Sequence, residues 1–286
     1  MSRPWKRELR LELRTNACYA VLHDAGLHRR VLASASAPGR GAAALTAAIA
    51  ALRRAESDWL SIDARLTVAD EYLHFLLLPG ALEPDAAERL ARRRFARRLG
   101  HGELLVQTIE LPGQRGRLAA ALTLADFDAW TDALLMAGVS LRHIHPALTE
   151  DLRALAARVV EPDALLVLLR EEGATLVRLE DGSPAALQWE PLDTPQPAAL
   201  EARLRRFAAA GDLDAATPVY MLPFSKALCR YVLDPLPGSI TPLDAGTAGL
   251  TRQPGDRSRG GIPGLWRVPA YLPAWQRTID PEGLPA

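Results

Sequence analysis

Two stretches of the chain, 8–69 and 164–222, carry the same order of elements: three meandering strands, a helix, then another strand. In the first, RELRLELR at 7–14 alternates with period two and sets Leu9, Leu11 and Leu13 on one face, which predicts a half-buried strand. Cys18–Leu22 and Arg30–Ala37 follow as strands, with 24–26 (Asp-Ala-Gly) as the turn between them. Alanine-rich 41–55 has helical spacing at Ala44, Ala48, Ala51 and Leu52, and Leu66–Ala69 closes the unit. In the second, apolar Ala164–Arg170, a turn at Glu171–Gly173, strand Ala174–Leu179, a hairpin turn at Asp181-Gly182 and strand Ala185–Glu190 come first. A proline-rich link then leads to helix 199–210 and strand Pro218–Leu222. Residue identities between the two stretches are weak, so the order of elements carries the repeat.

Between the two copies, Asp70-Glu71 reads as a tight turn or bulge before a strand at Tyr72–Leu78. Helix Pro84–Leu99 starts with proline and stops before Gly100. Strands Leu104–Leu111 and Leu118–Thr123, a helix over 124–137 capped by Thr123 or Asp126, a short strand Val139–Ile144 and a helix Thr149–Val159 complete the region. After 245 the character changes. Segment 246–264 is rich in Gly, Pro, Arg and Asp, as a flexible linker is. It precedes GLWRVPAYLPAW, where Trp266, Tyr271 and Trp275 stand among prolines and either pack back on their own domain or dock on a partner. At 286 residues the chain has room for about two domains. The expected division is a first subdomain at 1–160, a smaller second one at 161–245, and a tail at 246–286.

Composition narrows the class. With 49% hydrophobic and 24% charged residues, the chain reads as a soluble globular protein. Basic and acidic residues balance at 34 each, so no global field favours nucleic acid or an anionic membrane. The N-terminus has no apolar signal core, and the apolar runs at 75–82 and 164–169 are too short to span a bilayer. These features predict a cytoplasmic protein without a membrane span. Cys18 and Cys229 read as buried reduced thiols. Of the six histidines, His143 and His145 would point to one side of a strand without a third ligand, which suits a polar strand end better than a metal site. GxSxG, Walker A and GxGxxG patterns are absent. PGRG at 38–41 could offer helix N-terminal amides to an anion, or be a plain helix-entry turn. The strongest charge cluster lies on helix 84–99. A stripe of Ala87, Leu90, Ala91, Phe95 and Leu99 faces inward, and Arg89, Arg92, Arg93 and Arg97 spread over the outer face. Arginine forks suit carboxylates and phosphates; a merely solvated face is the alternative.

Two blocks carry a family resemblance: 66–100 (LTVADEYLHFLLLPGALEPDAAERLARRRFARRLG) and 117–149 (RLAAALTLADFDAWTDALLMAGVSLRHIHPALT). The first runs strand, polar turn, aromatic, strand ending in proline, then an acidic-to-basic helix that closes on Phe-x-x-x-hydrophobic-Gly. Both resemble the actin-like cytoplasmic domains of pilus and secretion assembly proteins of the PilM and GspL type. The resemblance implies an α/β fold of duplicated actin-like (RNase H-like) mixed-sheet subdomains with flanking helices. It implies a non-catalytic cytoplasmic scaffold, a pseudo-ATPase without cofactor, that binds protein partners at the inner membrane such as a secretion ATPase or an assembly protein. Arg89, Arg92, Arg93, Arg97, Trp266, Tyr271 and Trp275 are the candidate partner-binding residues. In nucleotide-binding members of that fold, the first hairpin of each repeat presents an Asp and glycines to phosphate and magnesium. Here the turns are Arg14-Thr-Asn-Ala17, with neither carboxylate nor glycine, and Glu171-Glu-Gly173-Ala174, so phosphates would lack a two-sided clamp. The rival expectation is an actin-like ATPase or phosphotransferase that takes ATP and magnesium through Asp24, Glu171 and Glu172. A stand-alone regulatory or toxin-neutralising module is a third option.

Overall fold

The computed structural model describes residues 7–24, 30–57, 62–100, 103–111, 116–156, 159, 161–192, 197–211, 217–223, 241–245 and 262–268. In chain order the elements are β1 (Arg7–Leu13), β2 (Ala17–Asp24), β3 (Arg30–Pro38), α1 (Gly41–Ala55) and β4 (Ile62–Val68). A single 3-10 turn at Asp70–Tyr72 follows. Next come β5 (His74–Pro79), α2 (Pro84–Leu99), β6 (Leu104–Glu110), β7 (Gly116–Thr123), α3 (Leu124–Met136), β8 (Val139–Pro146) and α4 (Ala147–Ala156). The second half holds β9 (Ala164–Leu169), β10 (Gly173–Glu180), β11 (Ser183–Pro191), α5 (Pro197–Ala209), β12 (Val219–Pro223), β13 (Thr241–Ala245) and β14 (Ile262–Val268).

The repeated order is real in three dimensions. The first sheet runs β3-β2-β1-β4-β8 and the second β11-β10-β9-β12-β14-β13. In each, the opening three strands form an antiparallel meander, and the strand after the helix lies parallel beside the opening strand. Leu9, Leu11 and Leu13 pack with Leu45, Ala48, Ile49 and Leu52 of α1, all buried. The predicted period-two pattern of β1 therefore points its leucines at a helix.

The two copies differ in how their sheets are covered. The other face of β1 is charged, and its charges pair along the strand, Glu8 with Arg10 at 3.8 Å, and across to β4, Glu8 with Arg65 at 2.7 Å; on the same sheet Asp63 of β4 pairs with Arg142 of β8 at 2.9 Å. These pairs explain why β4 starts at Ile62, four residues before the expected Leu66. Asp63 and Arg65 look polar in sequence yet sit on a partnered face of the ladder. β9 is buried on both faces. Leu165, Val167 and Leu169 meet Leu200, Leu204 and Phe207 of α5, while Ala164, Leu166 and Leu168 join the core that also holds Leu11 and Leu148. One apolar core thus runs through both halves.

Inserted between β4 and α3 is a three-stranded sheet of order β5-β7-β6, covered by α2. Ala87, Ala91 and Phe95 pack against Leu78, Val106, Ala119 and Ala121. Leu90 is half-buried, and Leu99 is exposed (37%), so the expected stripe ends one turn early, at Phe95. Gly100 takes φ +84°, a left-handed turn that ends the helix. Thr123 caps α3 by accepting from the Asp126 amide at 3.1 Å. The turn expected at 24–26 falls partly, and Cys229 wholly, outside the described residues; so does the linker expected at 246–264 up to 261, while its last three residues, 262–264, are not linker but open β14.

Phe95→Ala is expected to cost about 3–5 kcal/mol in urea unfolding, the range for truncating a buried aromatic. Leu99→Ala should change stability by less than about 0.5 kcal/mol. Equal losses in the two variants would contradict the observed end of the buried stripe.

Candidate functional site

The corresponding turns of the two copies face each other across the junction between the halves. Both are tight and closed in the same way: Arg14 N donates to Ala17 O at 2.8 Å, and Arg170 N to Gly173 O at 2.8 Å. Each is led by an arginine that follows a buried leucine, Leu13 or Leu169.

Between them lies the 70–72 turn. Asp70 is buried (1% exposed), and its carboxylate is held by groups from other segments. Its Oδ2 accepts from Arg170 Nε at 2.7 Å and Thr175 Oγ1 at 2.8 Å, and its Oδ1 from the Leu148 amide at 2.9 Å. Arg170 also donates to Asp151 Oδ2 at 2.7 Å. Burial, and the competing charge of Asp70, push the Asp151 carboxyl up against the pull of Arg170. Glu71 Oε1 accepts from two successive backbone amides of the second turn, Glu171 at 3.1 Å and Glu172 at 3.3 Å. Burial pushes the Glu71 carboxyl above its ordinary value despite those two bonds. The Tyr72 hydroxyl accepts from the Gly41 amide and donates to Arg14 O, both at 3.2 Å, while its ring meets Trp130 edge-on at 5.3 Å.

Side chains then tie turn to turn. Thr15 Oγ1 donates to Glu171 Oε2 at 3.0 Å, and Arg14 stands 3.9 Å from Glu171 Oε1. Arg14 also pairs with Glu12 at 2.7 Å and lies over the Tyr19 ring at 4.6 Å. Arg40, at the entry to α1, pairs with Glu172 at 2.6 Å on the rim. The junction is thus closed by buried and half-buried polar contacts between the halves.

The residues singled out from sequence fall in several places. Glu171 and Glu172 are at the junction, with side chains engaged by Thr15, Arg14 and Arg40. Asp24 is not with them. It ends β2 opposite Arg7, six residues along the strand from Cys18, so it sits roughly 20 Å from the turn. Grouping Asp24 with Glu171 and Glu172 is therefore corrected, because the antiparallel register carries β2 away from its hairpin. The PGRG segment is a helix-entry turn: Gly39 (φ +127°) and Gly41 (φ +53°) use the left-handed freedom of glycine, and the Gly41 amide is taken by Tyr72. Arg89, Arg92, Arg93 and Arg97 are all exposed on α2, with Arg92 paired to Glu88 at 2.8 Å. Trp266 is on β14, in register with Met221 of β12. Tyr271 and Trp275 lie outside the described residues. His143 and His145 stack at 5.8 Å on β8, in register with Arg65 and Thr67. Burial, then the neighbouring His143, Arg65 and Arg153, push the His145 imidazole down. Among the described residues no group of three or more His, Cys, Asp or Glu side chains could hold a metal ion. Cys18 is buried, which pushes its thiol far up and leaves it unreactive.

Asp70, Glu71, Tyr72 and Arg170, which build the junction, were not among the sequence candidates. The available signal was the shared Leu-Arg-x-x-Ala/Gly pattern at 13–17 and 169–173.

No protein-family model matches the sequence, and no curated protein matches it. Solved structures do. A Bacteroides thetaiotaomicron protein of unknown function, described as having an actin-like ATPase fold, matches over 80% of this chain and 90% of its own, with TM-score 0.55 and 12% identity. The fold is actin-like. Two further matches are the cytoplasmic domain of EpsL, an inner-membrane component of the Vibrio cholerae type II secretion system, and a PilM-PilN type IV pilus biogenesis complex. The first has TM-score 0.43 and 12% identity, covering 69% of this chain and 74% of that one. The second has TM-score 0.48 and 19% identity, covering 74% and 67%.

An actin-like ATPase fold implies a nucleotide whose phosphates meet the two hairpin turns. Here the described residues place the chain's own side chains between those turns. The space between the turns is crossed by the Thr15–Glu171 and Arg14–Glu171 contacts, and the second turn's amides are held by Glu71. Gly173 serves packing: a Cβ there would collide with the Glu190 carbonyl and the Trp189 ring.

Asp70→Ala is expected to destabilise the chain by about 3–5 kcal/mol in urea unfolding, since it strips a buried guanidinium of its main partner. A loss below about 1 kcal/mol would place the pair in the class of weak surface bridges. The raised Glu71 value sets a sign for pH. The folded chain keeps a proton on Glu71 at pH values where the unfolded chain has lost it, so this stability is present below the ordinary 4.5 and lost as pH rises through the raised value. Calorimetry should therefore show the melting temperature of Glu71→Gln gaining on the unaltered chain as pH rises above the ordinary 4.5 toward neutrality. A gap that grows on acidification would reverse the sign.

Proposed function

We propose that this chain is a non-catalytic, actin-like scaffold or adaptor, a pseudo-ATPase that binds components of a bacterial pilus or type II-like secretion assembly. The observation that carries the non-catalytic part is the self-filled junction: Glu71 on the Glu171 and Glu172 amides, and Asp70 on Arg170, stand where a phosphate-binding cleft would need free donors. The pilus or secretion setting rests on the resemblance of 66–100 and 117–149 described above. Partners are proteins at the inner membrane, met through the arginine face of α2 and the segment holding Trp266, Tyr271 and Trp275. The proposal includes a cytoplasmic location, peripheral to the membrane through those partners, and the division at 160 and 245. No described helix is long and apolar enough to cross a membrane.

Thermal melting with and without ATP and magnesium tests the reading. The expected result is an unchanged melting temperature at millimolar nucleotide, because a ligand at about 100 times its Kd would stabilise the folded state by about 2.7 kcal/mol. A nucleotide-dependent rise, with phosphate release, would establish the ATPase or phosphotransferase alternative instead.

A further inference from the structure

We propose that the charged face of the first sheet holds a cleft for a small dicarboxylate anion, with Arg65 of β4 and Arg142 and His143 of β8 as its donors. The cleft lies on the side of β1, β4 and β8 turned away from α1. Its volume is about 440 Å³, and its walls are Arg7, Glu8, Asp63, Arg65, Arg142 and His143. Small-molecule sites occupy roughly 300–1,000 Å³. Arg7 opens β1 and Arg14 follows its end, so the cleft is roughly 20 Å from the closed junction and independent of the contacts there.

A one-residue irregularity builds it. Ala64 pairs with Leu141 but Arg65 pairs with His143, which leaves Arg142 as an extra residue bulged out of the β8 ladder. Leu141 and Ile144 pack on the apolar core, while the two residues between them both reach the charged face. Arg142 meets Asp63 at 2.9 Å, and His143 stacks with His145. A regular strand would send one of the two inward; a bulge re-aims side chains in this way, often beside a functional site.

The second feature is a set of donors without partners. Glu8 is shared by two arginines that stand in register on adjacent strands, Arg65 at 2.7 Å and Arg10 at 3.8 Å. Arg65 and Arg142 each offer Nε to an acid. Beyond those two contacts neither guanidinium has a hydrogen-bond or ion-pair partner among the described residues. A guanidinium carries five N–H donors, so the Nη groups of both remain to bind a ligand. Their side chains are 49% and 60% exposed, which opens them to solvent.

Charge selects the occupant. Around the cleft three guanidinium groups, Arg10, Arg65 and Arg142, share the two carboxylates of Glu8 and Asp63, and like charges in register on a sheet are destabilising until an anion joins them. Planar carboxylates match the arginine fork, as Glu8 and Asp63 already do on this face. One ligand carboxylate on Arg65 and a second on Arg142 and His143 would use both walls, which a monocarboxylate cannot do. Such binding acts at contact range through N–H donors and needs no field from the chain as a whole.

Backbone amide shifts followed by NMR on the full chain, with succinate as the probe, test the site. Succinate should move the amides of 64–66 and 140–143 along a saturable curve in the millimolar range and leave those of β9 and β10 unmoved. Arg65→Gln and Arg142→Gln should each weaken binding about tenfold, the effect of losing a charge-assisted hydrogen bond. Asp63→Asn removes a competing carboxylate from Arg142 and should tighten binding severalfold, a gain that misfolding does not produce. Unmoved amides in the unaltered chain would overturn the proposal without any variant. Equal responses to acetate, or to chloride at the same ionic strength, would overturn it by reducing the effect to general screening. Tighter binding of inorganic phosphate would overturn the dicarboxylate assignment, and tighter binding of a glutamate-rich peptide would overturn the small ligand in favour of a protein partner.

Discussion

Arg170 fixes how the halves meet. Its guanidinium is 1% exposed, and a buried cation without partners costs several kcal/mol. The partners come from three places: Asp70 after β4, Asp151 on α4, and, through Asp70, Thr175 on β10. Only one docking of the halves brings these groups together. The other contacts between the halves, Thr15 with Glu171 and Glu71 with the Glu171 and Glu172 amides, are short enough to form only in that register. Hydrophobic burial between the halves, such as Leu148 and Leu166 in one core, supplies most of the driving force, but it is non-directional. The ion pair is what selects an orientation.

The repeat shows how one turn geometry came to serve two ends. Arg14 and Arg170 hold equivalent places, each closing a turn three residues long between the first two strands of a meander. Arg14 turns back along its own strand to Glu12 at 2.7 Å and over Tyr19, and meets Glu171 of the other half at the longer distance of 3.9 Å. Arg170 reaches across to the other half. The burial pattern of the opening strands follows the same division. β1 has one charged face, where ion pairs satisfy its side chains, and β9 has none, because α4 and α5 cover it on both sides. An all-apolar strand such as ALLVLL therefore belongs in the second copy and RELRLEL in the first, although both occupy the same place in the topology.

That difference also explains what could be read from the sequence. Periodicity located the elements wherever apolar residues alternate or recur at helical spacing, as in β1, α1 and α2. It missed the start of β4, because Asp63 and Arg65 look like loop residues until Arg142 and Glu8 are seen opposite them. It missed Asp70 and Glu71 for the same reason at longer range. A charged pair after a strand reads as a turn, which it is; its burial depends on Arg170, 100 residues away in sequence, and no local pattern records that partner. Leu99 failed in the opposite direction: its spacing fits the stripe, but the sheet beneath α2 ends before the last helical turn.

The same long-range pairing bears on where surface charge is left in a chain of zero formal net charge. Many of the charges on the first sheet and at the junction are matched within the fold, so they add little field beyond it. Around 0.15 M salt an unmatched surface charge acts over only about 8 Å. A local field then arises where like charges crowd within that range, and α2 is such a place, with Arg89, Arg92, Arg93 and Arg97 exposed on adjacent turns and Glu88 engaging Arg92. The helix is anchored through Ala87, Ala91 and Phe95 to a sheet inserted outside the repeat, so it can carry a basic face without disturbing the junction. A balance of 34 basic and 34 acidic residues is therefore compatible with a basic face on α2, because charges that balance over the whole chain need not balance over one helix.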